Sequence, residues 1–77
     1  MLQYSPAQIV IALRVALKLN QLALATRLGV TRVSVCRWER GVSIPSRLAW
    51  RAMRTVAADA KVPGLADAID QIAHIKE

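Results

Sequence analysis

The chain has 77 residues, 55% of them apolar, with 11 Lys or Arg against 5 Asp or Glu and one Cys. That length holds one domain with one modest core, and a lone cysteine excludes an internal disulfide and a cysteine metal cluster, as suits a reducing cytoplasm. The apolar run over residues 7–17 is interrupted by Arg14 and too short to span a bilayer, and it lacks the basic leader and cleavage site of a signal peptide.

Ser5-Pro6-Ala7-Gln8 reads as a capping box with proline at the first helical position. Tyr4 and Ile9 stand where a hydrophobic staple would hold the entry of this first helix. Ile9, Leu13, Ala16 and Leu17 then form one apolar face, with Ile11 and Val15 off it. Asn20 caps a second helix, stapled by Leu19 and Leu24, that stops at Gly29. Thr31 caps a third, stapled by Val30 and Val35, that stops at Gly41. A turn containing Pro45 leads to a fourth helix over about residues 46–60, with Leu48, Ala49, Ala52, Met53, Val56 and Ala57 on one side. Lys61-Val62-Pro63-Gly64 breaks the chain. A fifth helix over about residues 65–75 carries Leu65, Ala68, Ile69, Ile72 and Ile75 on one stripe and leaves Asp67 and Asp70 off it. The expected fold is all-α, a compact bundle of about five helices.

Residues 21–40 carry the most specific pattern. Two short helices meet at a tight turn on Gly29; Ala25 is small where they touch, and Val30, Val35 and Trp38 hold the second onto the first. Arg32, Val33, Cys36, Arg37 and Arg40 remain on the outer face of that second helix, which is basic and small, the shape and charge a DNA major groove accepts. The wider charge distribution agrees. Residues 1–54 hold nine Lys or Arg and one acid, Glu39, whereas residues 55–77 sum to −2. A basic body of this kind is the footprint of a polyanion binder. Trp38 faces inward, so core packing outweighs base stacking. Trp50 falls at the border of the fourth helix's apolar face and suits either the core or a partner contact. Cys36 lies beside three arginines, which favours some thiolate character, but a small groove-facing side chain is the expected role ahead of a redox switch. Ser34, Ser43 and Ser46 have no base or acid companion for a hydrolytic triad, His74 is solitary, and catalysis is not expected.

The block Gln21-Leu22-Ala23-Leu24-Ala25-Thr26-Arg27-Leu28-Gly29-Val30-Thr31, running on through Val35, Trp38-Glu39-Arg40-Gly41 and Pro45, resembles the Cro/repressor (XRE) helix-turn-helix family over residues 8–57. The resemblance implies a DNA-binding domain over residues 1–60; residues 61–77 carry no motif of the family, and their apolar stripe is expected to form a helix that packs on the domain and contributes to dimerisation. It implies base reading by Arg32, Val33, Cys36 and Arg37. It places phosphate contacts at Gln21, Arg40 and Ser43, with Arg47, Asn20, Thr31 and Ser34 beside them, and a structural ion pair between Arg14 and Glu39. Val33 and Cys36 depart from the polar residues common at their positions, so Val33 suits a thymine methyl. The implied protein is a cytoplasmic repressor, without cofactor, metal or small-molecule ligand, that binds double-stranded DNA as a homodimer. Leu65, Ile69, Ile72, Ile75 and Trp50 are the candidate dimer contacts, with the second apolar edge of the first helix as the runner-up. The alternative is an antitoxin-type module that binds a protein partner as well as its promoter.

Overall fold

Four short polar side chains start the first four helices. A helix leaves its first N–H groups without intrahelical acceptors, and a polar N-cap supplies one. In the computed structural model, which describes residues 5–73, Ser5 caps α1 (Pro6–Ala16), Asn20 caps α2 (Gln21–Leu28), Thr31 caps α3 (Arg32–Glu39) and Ser46 caps α4 (Arg47–Asp59). Ser5 and Gln8 close a reciprocal capping box; Tyr4 lies outside the described residues. Helix α5 spans Pro63–Ala73. Pro63 and Gly64, expected to lie in a break, therefore stand in its first turn, where the missing N–H of proline removes no bond. The fold is all-α with five helices, and the described residues contain no strand.

The helices also share a way of stopping. Gly29 and Gly41 take φ of 75° and 76°, and the next residue's N–H returns to the last turn: Val30 to the Ala25 carbonyl and Val42 to the Arg37 carbonyl, both at 3.0 Å. Helices α1 and α4 end in the same way on lysines. Lys18 and Lys61 sit at φ 58° and 60°, with Leu19 N–H on the Arg14 carbonyl and Val62 N–H on the Ala57 carbonyl.

Helices α1 and α2 meet at 99°. Helix α3 packs against both, and α5 lies across α4 and α1. The core between them takes Ile9, Val10 and Leu13 from α1, Leu24 and Ala25 from α2, Val35 and Trp38 from α3, Ala49, Trp50, Met53 and Ala57 from α4, and Ile69 from α5. Among the described residues no single helix is long and apolar enough to cross a membrane.

Packing corrects several assignments of faces. Val10 is fully buried and Ala16 exposed, because α1 is covered by α3 on one side and α5 on another, which broadens its buried face toward Val10. Leu48, expected on the core side of α4, is 78% exposed. A helix turns about 100° per residue, and the buried set Ala49, Trp50, Met53 and Ala57 places Leu48 nearly opposite its centre. Trp50 and Ile69, offered as dimer contacts, are both buried within the single chain and present nothing to a partner. Leu65 is half-buried against the core. Ile75 lies outside the described residues, as does the side chain of Ile72. Asp70 closes on α4 instead of standing free, its Oδ1 lying 2.6 Å from Arg54 Nε without hydrogen-bond alignment.

Candidate nucleic-acid interface

Helix α3 has eight residues, about two turns, so it has only two faces to assign. Val35 and Trp38, three apart, are buried against α1 and α2. Arg32, Val33, Arg37 and Arg40 are consequently exposed, and Cys36 is half-buried between them. Val33 is 55% exposed, a large fraction for an aliphatic side chain on a short packed helix.

Glu39 belongs to neither set. It is the only acid in residues 1–54, and its side chain is 8% exposed. Its Oε2 accepts from Arg14 Nε at 2.6 Å, and its Oε1 accepts from Arg14 Nη2 and from Gln21 Nε2, each at 3.1 Å. Arg14 uses its remaining Nη1 on the Leu19 carbonyl at 3.3 Å. The fork geometry suits a two-pronged guanidinium–carboxylate contact. The bond from Glu39, opposed by partial burial, holds the Arg14 guanidinium above the ordinary arginine range. The chain of bonds continues outward: Gln21 Oε1 accepts from Arg32 Nη1 at 3.4 Å. A part-buried ion pair is thereby linked, through one amide, to the first residue of the exposed helix. Because Glu39 is neutralised from inside, the outer face of α3 presents positive charge alone. Among the described residues the side chains of Arg37, Arg40 and Arg47 make no hydrogen bond or ion pair.

The helix caps stand beside this face. Asn20 Oδ1 accepts from Ala23 N–H at 2.8 Å, and Thr31 Oγ1 accepts from Ser34 N–H at 3.1 Å. The Thr31 and Ser34 hydroxyls lie 3.1 Å apart. Acceptors are of no use to a phosphate, so the groups these residues can offer one are the Asn20 Nδ2, the one hydroxyl proton that the Thr31–Ser34 bond leaves over and the N–H groups at the starts of α2 and α3 that the caps do not take. Ser43 and Arg47 are exposed on the stretch that follows α3.

Apart from Val33 and Cys36 on the outer face of α3, the expected site residues fall into three sets. Arg14, Gln21, Arg32 and Glu39 are joined in one network. Arg37, Arg40, Ser43 and Arg47 are exposed with free polar groups, and Asn20, Thr31 and Ser34 cap the two motif helices. What sequence reasoning missed is Gln21 as the joint between the ion pair and Arg32. The available signal was its place at the first position of α2, the counterpart of Arg32 at the first position of α3. It also missed the exposed aliphatic side chains Leu22, Val42, Ile44 and Leu48. A family model described as helix-turn-helix matches residues 10–53, from the first turns of α1 into α4. No curated protein and no solved structure gives a significant match to the chain.

Proposed function

Since the chain belongs to the XRE-type helix-turn-helix family of DNA-binding regulators, we propose that it is a sequence-specific transcriptional repressor that occupies a near-palindromic operator as a dimer. The observation that supports this reading best is the inward burial of Glu39, the one acid in residues 1–54. It leaves α3 with a basic outer face that carries no counter-charge of its own. Helix α3 enters the major groove. Arg37 and Arg32 donate in pairs to guanine edges, Val33 meets a thymine methyl, and Cys36 allows close approach. Arg40, Ser43 and Arg47, with the groups that open α2 and α3, bind phosphates and set the register without reading sequence. The domain measures 29 × 26 × 24 Å, so two copies side by side fit a spacing of about 34 Å, one turn of duplex. Occupying a promoter in this way excludes polymerase; the protein acts on DNA in the cytoplasm and needs no cofactor or catalysis.

Selection of random duplexes by the purified protein at near-physiological salt tests the proposal. The expected result is an inverted repeat whose half-sites lie one helical turn apart. Strongly salt-dependent binding with no enriched sequence would overturn it, since that is the behaviour of a binder driven by phosphate charge alone.

A further inference from the structure

Helices α1 and α5 touch, and a cavity of about 390 Å³ is lined from both of them. Small-molecule sites run from roughly 300 to 1,000 Å³, and at roughly 30 Å³ per water-sized group this one admits about a dozen heavy atoms. Helix α1 contributes Ile9 and Ala12; the turn after α4 and α5 itself contribute Val62, Leu65 and Ala68. Ile9 belongs to the core and Ala12 is exposed, so the cavity runs from the core to solvent. Two donors stand on this mainly apolar lining. Lys61 is the only ionisable residue there, and its side chain makes no hydrogen bond or ion pair among the described residues. The N–H of Gly64, in the first turn of α5, has no acceptor among them either. No acid lines the cavity; Asp67 shares a neighbouring hollow with Lys61 but lies off this one.

We infer that this cavity binds a small carboxylic acid with an aliphatic tail of about eight carbons, the tail on the apolar lining and the carboxylate at Lys61. An apolar hollow favours an apolar body, and an unpaired cation beside an unpaired N–H at the positive end of a helix favours an anionic head. Gly64 supports the assignment. Its φ is not positive, and a Cβ built on it meets nothing within 4 Å. Glycine is the poorest helix former after proline, and here neither backbone nor packing asks for it. Its missing side chain leaves the cavity open at a residue exposed to solvent. The expectation of no small-molecule ligand rested on a sequence in which residues 9–12 and 61–68 stand far apart. The site lies away from α3, none of whose residues line it, and does not depend on the repressor reading.

Octanoate is the probe, with octanol and octylamine as its neutral and cationic counterparts. Each is titrated into the full chain without DNA at fixed salt, and binding is followed by calorimetry and by amide NMR shifts. Octanoate is expected to saturate the protein below about 1 mM, with shifts centred on residues 9–12 and 61–68, and to bind about threefold or more tighter than octanol. Octylamine should bind more weakly than either. Lys61→Gln is expected to bring octanoate down to the affinity of octanol and leave octanol unchanged. Lys18→Gln, at the same left-handed backbone position after α1 but off the cavity, should bind as wild type. Gly64→Leu fills the opening and should abolish saturable binding of both ligands, with unchanged circular dichroism because the added Cβ meets no neighbour. Octanoate that fails to saturate by about 1 mM, octanol that matches it, or binding that survives Gly64→Leu overturns the inference. So does an equal loss of octanoate binding in Lys18→Gln and Lys61→Gln, which is the mark of attraction to net positive charge alone.

Discussion

Glu39→Gln removes one charge and reverses one hydrogen-bonding direction, and both effects can be followed from the bonds present. The carboxylate receives three donors: Arg14 Nε and Nη2, and Gln21 Nε2. An amide in its place offers one oxygen, and its NH₂ must face a donor whichever way it turns. Losing one member of a buried ion pair costs about 3–5 kcal/mol. Here Arg14 keeps the Leu19 carbonyl and its side chain is 24% exposed, so water takes part of the deficit and about 2–3 kcal/mol is expected. For a domain of this size that lowers the Tm by roughly 8–24 °C. Gln21 can relieve the clash by turning its own amide, but it then presents Nε2 to Arg32 Nη1, where Oε1 now accepts. The expected second effect is relaxed base preference at the position proposed for Arg32, measured by competition at a temperature where both proteins are folded. Urea denaturation gives the first number. A loss under about 0.5 kcal/mol would refute the reasoning, because that is the worth of an exposed pair. Arg14→Met with Glu39→Met, which removes both charges together, should recover much of the stability. The guanidinium shift is upward, so the pair's contribution through Arg14 is complete at any pH below the ordinary arginine range and is lost only as pH rises above it.

Arg37→Ala should cost about 1–3 kcal/mol at one base position in a competition titration, whereas Arg40→Ala should weaken all sequences alike and reduce the slope of log affinity against log salt by about one. Lys18→Gly and Lys61→Gly remove a side chain from left-handed backbone at φ 58° and 60°; each should stabilise the domain by about 0.5–1 kcal/mol in urea denaturation, with no change in DNA binding for Lys18→Gly. Met53→Ala empties a site with no solvent exposure and should cost about 2–5 kcal/mol in the same assay, a large share of the stability of so small a domain.

The helix boundaries were legible because the chemistry that makes them is local. An N-cap needs one oxygen three residues from one N–H, and Ser5, Asn20, Thr31 and Ser46 all show that spacing. Gly29 and Gly41 mark their stops because glycine takes positive φ without strain. Lys18 and Lys61 make the same turn silently: a lysine held there by the bonds of Leu19 and Val62 looks like any other surface lysine. Pro63 shows the opposite ambiguity, since proline ends one helix and begins another with equal ease, and only the next turn decides which.

The site divides along a similar line. Burial of Glu39 could be argued from charge, since a lone acid on a DNA-facing surface repels its ligand and must be neutralised. The path by which its partners reach Arg32 could not, because it joins residues 25, 18 and 11 apart in the chain through an amide whose direction is set only when all of them are in place. The exposed aliphatic residues were hidden for a different reason. An aliphatic residue is read as core by default, but the rule runs one way, since much of any folded surface is apolar. Leu48 and Trp50 are two residues apart on one helix, a rotation of about 200°. Trp50 fills the core and Leu48 stands in water, and no local pattern tells one from the other. The phase of α4 is settled by what α5 and α2 press against it, and that same choice leaves Leu48 in water.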